Sequence, residues 1–213
     1  MILIDLEYFG CIYSYTSLYK EQYIQNNPSK VWKKAHPLNR MWLYGPNNMV
    51  MLSVPLAGGR NVKGSVDGIR IAWSEPWQRV HWRTLHDCYR KSPWFEVYEP
   101  DLARLYQQQP DLLCEWNRMC MEWAFRMIGI NTVISSVYAP ETLEHTEIAL
   151  ERNPIPVPPK PHPHYLQVFA ERRGFVANLC ILDLLFNEGP RAADYIDRLA
   201  AYINSSTNGD SHG

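Results

Sequence analysis

Ile181-Leu-Asp-Leu-Leu-Phe-Asn-Glu-Gly-Pro190 is an apolar stretch that a single carboxylate, Asp183, interrupts. Asn187 and Glu188 close the stretch, and the Gly-Pro pair behind them predicts the end of one helix and the start of the next. An unpaired carboxylate in an apolar interior costs several kcal/mol, so Asp183 needs hydrogen-bond donors or an altered protonation state. Two roles meet this requirement. Asp183 is either a structural acceptor that ties its helix to a loop or to Arg40, or a base tuned by burial.

The composition is that of a globular protein with little net charge. The chain has 213 residues, of which 46% are apolar, enough for one large domain or two small ones. A formal net charge of −1 argues against binding to nucleic acid or to an anionic membrane surface. The chain also lacks a run of about 18 apolar residues, so we expect no membrane span.

Two features predict a cytoplasmic location. The N-terminal segment has no basic leader and carries Asp5 and Glu7 early, unlike a secretory signal. The five cysteines are an odd number without repeated spacing, and reduced thiols in a cytosol are the simplest explanation.

Large aromatic residues are frequent. The chain has eight Trp and 13 Tyr, and they concentrate between residues 8 and 138. Such rings combine apolar area with a polar group, which suits a core that opens onto a binding groove. An aromatic core without a ligand is an equally good interpretation.

The first third of the chain has the composition of strands. Residues 2–6 predict a buried strand and residues 69–73 a second short one. Residues 40–44 and 49–54 flank Gly45-Pro-Asn-Asn48, and strand-like runs on either side of such a turn predict a β-hairpin.

The rest of the chain predicts mainly helices. Their expected positions are residues 74–90, 101–108, 111–128, 165–172, 178–188 and 190–203. Residues 132–138 return to strand-like composition and could join the sheet through a crossover. We therefore predict a mixed α/β (α+β) fold, with one sheet built mainly from the N-terminal third and covered by helices from the remainder.

A proline-rich segment separates the last helices from the rest. Residues 153–164 contain six prolines, which excludes regular structure and leaves a linker or a surface arm. The 49 residues behind the segment are too few for an independent core, which favours the arm. We predict a single domain over residues 1–204 with this arm at 153–164, followed by a disordered tail at 205–213.

Common catalytic fingerprints are absent from the sequence. It has no GxGxxG, GxxxxGK[ST], GxSxG or HExxH motif, so no cofactor can be named. The pair His162-Pro-His164 lies in the proline-rich segment without a cysteine or carboxylate at ligand spacing, and we expect no metal site.

The predicted helix from residue 74 carries a basic face. Arg79, Trp82, Arg83 and His86 fall on it, and a cation beside an aromatic ring is a common way to hold a phosphorylated or carboxylated ligand. An ordinary solvated helix face has the same composition. His81 instead lies beside the apolar stripe, as either a hydrogen-bonded core residue or a general acid/base at a cleft.

Asn39-Arg40 opens the first strand of the predicted hairpin. A guanidinium that enters a sheet needs a carboxylate, a phosphate or solvent, and Asp183 and Glu188 are the candidate partners within the chain. A structural ion pair is the alternative to a ligand site. Asn117 has a similar ambiguity, because it lies at the edge of an apolar helix face and suits a core hydrogen bond as well as a ligand.

Several short motifs follow one another along the chain. They are Asn39-Arg40, Leu52-Ser-Val-Pro55, Trp77 with His81-Trp82, Ser92-Pro-Trp-Phe95, Asn117, Tyr165-Leu-Gln-Val-Phe169 and the stretch that ends at Pro190. Their order resembles the WbqC-like protein family from about residue 2 to residue 203. Tyr8-Phe9-Gly10 departs from the Tyr-Phe-Pro that is more usual there.

The resemblance implies the cytoplasmic phase of bacterial surface-polysaccharide assembly of the O-antigen type, where sugars are handled as activated nucleotide or lipid derivatives. Our first hypothesis is an enzyme that transfers a group to an activated sugar such as a nucleotide sugar. In this hypothesis the catalytic residues are His81, as the base, and Asp183, which orients it. The substrate-binding residues are Asn39, Arg40, Arg79, Trp82, Arg83, Tyr89, Asn117 and Asn187. The alternative is a non-catalytic binding or scaffold protein of the same pathway, which would have a protein partner.

Overall fold

Two small sheets with helices around them form the framework of the protein. The computed structural model describes residues 2–26, 30–33, 38–135, 146–147 and 163–209. The strands are β1 (Ile2–Ile4), β2 (Tyr23–Asn26), β3 (Arg40–Tyr44), β4 (Met49–Ser53), β5 (Val133–Ser135) and β6 (Thr146–Glu147). The helices are α1 (Ile12–Leu18), α2 (Trp77–Tyr89), α3 (Phe95–Leu105), α4 (Leu113–Ile128), α5 (Ala170–Arg173), α6 (Ile181–Glu188) and α7 (Ala192–Gly209). The predicted mixed class is confirmed, although the described strands form two sheets rather than one.

The larger sheet is parallel, with the strand order β5-β2-β1-β6. The late strand β5 joins it after the chain has passed through α2, α3 and α4, so the predicted crossover is confirmed. Strands β2 and β6 lie on opposite sides of β1. In open parallel sheets, such a change of direction creates a crevice at the carboxyl ends of the strands, where ligands commonly bind.

The predicted β-hairpin forms the second sheet. Strands β3 and β4 are antiparallel, with Arg40 opposite Ser53 and Tyr44 opposite Met49. The N–H of Gly45 donates to the carbonyl of Asn48 at 3.1 Å and closes the turn. The second strand ends at Ser53, one residue earlier than expected.

Helices α2 and α4 follow their predicted stripes closely. Helix α2 begins at Trp77, later than the predicted residue 74, and buries Trp77, His81 and Leu85. Helix α4 ends at Ile128, and Gly129 behind it takes the left-handed conformation with φ of +82° that favours glycine. Both helices pack Trp side chains into an aromatic cluster in which Trp77 and Trp116 meet edge to face at 5.4 Å.

Other predicted boundaries were wrong. Helix α3 begins at Phe95 rather than residue 101, because its buried stripe continues on the N-terminal side of Pro100. Residues 69–73 make isolated bridges instead of a strand, and β2 was not predicted. In place of the predicted helix at residues 165–172, the structure has only the short helix α5, Ala170–Arg173.

The predicted arm and tail fall largely outside the described residues. This applies to residues 153–162 of the arm and to residues 210–213 of the tail. Helix α7 extends to Gly209, beyond the predicted end at residue 203. No helix in the described ranges has both the length and the apolar character that crossing a bilayer requires.

Candidate functional site

A pocket of about 600 Å³ opens at the end of the β-hairpin. Its walls come from Asn39, Arg40 and Ser53 of the hairpin, from the loop at residues 54–60, and from Trp32, Ala72, Ser74 and Glu75. This volume lies within the range of small-molecule sites.

The pocket is tied to the carboxyl end of β1. The N–H of Tyr8, in the loop after β1, donates to the carbonyl of Leu38 at 3.0 Å. The Nδ2 of Asn117 donates to the carbonyls of Leu6 and Leu38, at 2.7 and 2.9 Å. Since Leu38 precedes the pocket residue Asn39, the pocket lies beside the end of the parallel sheet at which ligands are expected.

Arg40 is the principal cation of the pocket. Its Nε is buried, and no described residue accepts a hydrogen bond from it. Neither predicted partner pairs with Arg40, because Asp183 accepts from other side chains and Glu188 pairs with Arg191 at 3.2 Å. An unpaired buried donor costs about 1–3 kcal/mol, and the structural ion pair that could have offset this cost is not formed among the described residues.

The rest of the pocket mixes polar groups with an apolar wall. Arg60 adds a second, exposed cation and Glu75 a carboxylate, while the apolar wall consists of Pro55, Leu56, Ala57 and Ala72. The side-chain amide of Asn39 is fixed, since its Nδ2 donates to Ser53 Oγ at 3.1 Å and to the carbonyl of Val54 at 2.8 Å. The open end of the hairpin is therefore a rigid part of the wall.

Asp183 is fully buried and does not line this pocket. Its Oδ1 accepts from the hydroxyl of Tyr89 at 2.7 Å, and its Oδ2 accepts from Tyr165 at 2.5 Å and from Gln167 Nε2 at 3.1 Å. Burial raises the pKa of Asp183 to about 6, although the three hydrogen bonds favour the charged form. These contacts tie α6 to α2 and to the chain at residues 165–167, as the structural interpretation requires.

His81 is buried in a second, separate cluster. Its Nδ1 is 3.0 Å from the hydroxyl of Tyr8, which in turn bonds the hydroxyl of Tyr106. Burial lowers the pKa of His81 to about 4, and the backbone of Ser53 opposes this change. None of these hydrogen bonds connects His81 to Asp183, and neither side chain lines the pocket.

The two buried groups predict opposite dependences of stability on pH. The pKa of His81 falls from 6.5 to about 4 on folding, so its contribution is full above pH 6.5 and is lost as pH falls toward 4. The pKa of Asp183 rises from 3.8 to about 6, so its contribution is full below pH 3.8 and is lost as pH rises toward 6. Each of these pKa changes corresponds to about 3 kcal/mol in the free energy of unfolding.

Urea unfolding between pH 4 and 6.5 measures these two opposite contributions to stability. As pH rises, the free energy of unfolding of Asp183→Asn should increase by about 3 kcal/mol relative to that of the wild type. The free energy of unfolding of His81→Gln should decrease by about 3 kcal/mol relative to that of the wild type. Parallel stability curves for both variants and the wild type would show that neither group titrates differently in the folded and unfolded states.

Three other predicted ligand residues make buried structural hydrogen bonds. Tyr89 bonds Asp183 and accepts from the N–H of Tyr44 at 3.1 Å. Asn187 Nδ2 donates to the carbonyl of Asp183 at 2.7 Å, one helical turn back. Asn117 holds the two loop carbonyls described above. The structure thus places these residues outside the described lining of the pocket.

The basic face of α2 does not line the pocket either. Arg79 is exposed, and Arg83 lies 3.8 Å from Asp87 in an exposed pair. Trp82 packs against Tyr106 with ring centroids 5.8 Å apart. Of the predicted substrate-binding residues, the structure brings Asn39 and Arg40 together in the pocket.

Sequence reasoning did not select Ser53, Arg60 or Glu75 as site residues. Ser53 belongs to the Leu52–Pro55 motif, which is a usable signal. Glu75 lies two residues before α2 and Arg60 follows Gly58-Gly59, and neither position carries a local pattern that indicates a site. Within the described ranges no three potential metal ligands come together, and His162 lies outside those ranges.

The family comparison matches the part of the chain that builds the pocket. The family model of the WbqC-like proteins matches residues 29–153, more than half of the chain, and this region includes every described residue that lines the pocket. Neither a curated protein nor a solved structure matches the chain. The chain belongs to the WbqC-like protein family.

Proposed function

We propose that the pocket binds an activated sugar and that the protein is a cytoplasmic enzyme of bacterial surface-polysaccharide precursor synthesis, which transfers a group to that sugar. The observation that carries this proposal is the guanidinium of Arg40, which lines a pocket of ligand size without a carboxylate partner among the described residues. Membership of the WbqC-like family supports the pathway.

The charge of the pocket favours an anionic ligand. Arg40 and Arg60 contribute two cations, and Glu75 is the carboxylate among the described lining residues. A planar guanidinium forms paired hydrogen bonds with phosphate or carboxylate oxygens. Because neighbouring atoms cover the Nε of Arg40, we expect a ligand to meet its Nη groups. The diphosphate of a nucleotide sugar has the matching charge.

The remaining walls suit the uncharged parts of such a ligand. Ser53, Ser74 and Asn39 offer hydroxyl and amide groups for sugar hydroxyls, while Trp32 and the apolar wall offer surface for a ring. In this proposal Glu75, an exposed carboxylate of the pocket wall, accepts the proton of the hydroxyl or amino group that attacks the donor, and the donor's leaving group departs with the electron pair of the broken bond. Glu75 rather than His81 is the base in this proposal, since His81 is buried, bonds Tyr8 through its Nδ1 and does not line the pocket.

Calorimetric titration with a panel of uridine, guanosine and thymidine diphosphate sugars tests the proposal. The wild type should bind at least one of them, and Arg40→Gln should weaken that binding about 100-fold, because loss of a charged partner at a desolvated contact costs about 3 kcal/mol. The matched control is Arg126→Gln, which removes an equal charge from the exposed last turn of α4 and should bind like the wild type. Equal affinities for Arg40→Gln and the wild type would contradict the proposal.

The alternative is a binding or scaffold protein of the same pathway. It is favoured by Met49 and Met51 on the hairpin, which are 38% and 43% exposed and suit an apolar contact with a partner. This alternative predicts co-purification with another protein and no turnover of any activated sugar by the wild type.

A further inference from the structure

Cys11 and Cys180 lie opposite each other where two extended segments of the chain meet. Cys11 directly precedes α1 and Cys180 directly precedes α6, and the two form an antiparallel bridge. The residue after each cysteine donates its N–H to the carbonyl of the residue before the other cysteine, at 2.9 and 3.1 Å. The two hydrogen bonds thus flank the cysteines, which makes them a non-hydrogen-bonded pair of the ladder.

This pairing brings the two side chains together. The Cα atoms of a non-hydrogen-bonded antiparallel pair lie about 4.5 Å apart, and directly opposite residues share one face of the ladder. A disulfide needs Cα atoms that are about 4.4–6.8 Å apart. The pair therefore lies at the short end of the range in which two cysteines can be linked without moving the backbone.

Further hydrogen bonds hold both backbones in this register. The N–H of Cys180 donates to the carbonyl of Trp42 in β3, and its carbonyl accepts from the N–H of Asp183, both at 3.0 Å. The carbonyl of Cys11 accepts from the N–H of Ser14 at 3.0 Å. The Sγ of Cys11 lies 3.3 Å from Ser14 Oγ, and a side-chain rotation that gives up this weak contact leaves the backbone in place.

The two cysteines also differ in their access to solvent. Both are thiols in the structure, with Cys11 half-buried and Cys180 buried. An oxidant from solvent therefore meets Cys11 first. All five cysteines lie in the part of the chain that the structure describes, and no other two of them are opposite each other in a strand ladder or bridge.

We propose that Cys11 and Cys180 are a redox modification site: under oxidising conditions they form a reversible disulfide that staples the loop after β1 to the start of α6. The oxidant is a small-molecule disulfide such as glutathione disulfide. This site is separate from the pocket, since neither cysteine lines it.

The reaction is thiol–disulfide exchange in two steps. The thiolate of Cys11 attacks one sulfur of glutathione disulfide, forms a mixed disulfide and expels a glutathione thiolate. The thiolate of Cys180 then attacks the sulfur of Cys11 and expels the second glutathione thiolate. Each departing thiolate takes up a proton that a cysteine has given up. Two protein thiols are thus oxidised by two electrons, and one glutathione disulfide is reduced to two thiols.

Two properties of the disulfide follow from its position. Burial raises the pKa of Cys180, so the second step is slow and the exchange takes minutes to hours. The closed loop contains most of the chain, including the whole region of residues 29–153 that matches the family model. Closing so long a loop restricts the unfolded chain strongly, so the disulfide should stabilise the fold.

Peptide mapping of the native wild-type protein tests the proposal directly. The protein is incubated in glutathione buffers of increasing disulfide content, the remaining thiols are alkylated, and the chain is digested without reduction. The most oxidising buffer should yield mainly the peptide pair that joins Cys11 to Cys180, and dithiothreitol should reverse the link fully. Three results would overturn the proposal: a link from Cys180 to Cys120, a mixed disulfide at Cys11 that goes no further, or a link that forms only in urea.

Thermal unfolding measures the stapling effect. The oxidised wild type should unfold about 10 °C above the reduced wild type. Cys11→Ser should abolish both the link and this shift, whereas Cys114→Ser, the matched control at another half-buried cysteine, should keep both. An equal midpoint for the oxidised and reduced wild type would overturn the stapling role, as would a full shift in Cys11→Ser. The experiment needs no ligand, so its result is independent of the proposed function.

Discussion

Gly189→Ala is expected to lower the free energy of unfolding by about 4 kcal/mol or more. Gly189 follows α6 with φ of +55° and ψ of −124°, a conformation that L-residues with side chains rarely adopt. A Cβ at this position would lie 2.3 Å from Cδ2 of Trp94. Trp94 cannot retreat easily, because its backbone N–H donates to the carbonyl of Phe186 at 3.0 Å and its Cγ, close to the backbone, would also lie only 2.5 Å from the added Cβ. Urea unfolding of the variant measures the loss.

Gly129→Ala is the matched control for this prediction. Gly129 also has positive φ, +82°, but no described atom lies within 4 Å of an added Cβ. The control therefore carries backbone strain alone and should lose only about 1 kcal/mol. Similar losses for the two variants would show that the close approach of Trp94 contributes nothing.

Asp183→Ala is expected to cost about 4 kcal/mol at pH 7. The substitution removes the acceptor of Tyr89, Tyr165 and Gln167, so these donors stay buried without their partner. Because the three donors come from α2 and from the chain before α5, the loss should loosen both contacts with α6. Chemical unfolding, with hydrogen exchange of the amides near residues 165–167, measures the effect.

Asp183→Asn is the control, because it keeps one acceptor oxygen and removes the buried charge. It should be much more stable than the alanine variant at pH 7. If the alanine and asparagine variants were equally stable, the hydrogen bonds to Asp183 would not hold the three segments together.

Local patterns were sufficient to predict the hairpin and the stop of α4. The turn at Gly45–Asn48 lies between two strand-like runs, and Gly129 follows a regular buried stripe. The short strand β2 lacked such a signal, because buried Ile24 and buried Gln25 are neighbours and the burial does not alternate. The sequence also required donors for Asp183 but could not identify them. Tyr165 and Gln167 come from a segment whose composition favours a helix.

Only part of the candidate site could be predicted, because the sequence shows which residues need partners but not which segments meet in the fold. The sequence indicated Arg40 as a candidate site residue because a cation that enters a sheet needs a partner. This argument needs no tertiary information. Glu75 and Arg60 reach the pocket through the path of the chain between the hairpin and α2, which no local pattern specifies. Arg79 and Arg83 share a helix with His81, but the packing of the apolar stripe turns them toward solvent.

A crystal structure of the protein soaked with a nucleotide sugar that it binds tests the role of the pocket most directly. We expect the diphosphate within hydrogen-bond distance of the Nη groups of Arg40, with the sugar between Ser53 and Glu75. A nucleotide sugar bound elsewhere, with the guanidinium of Arg40 free of any contact to it, would contradict this assignment.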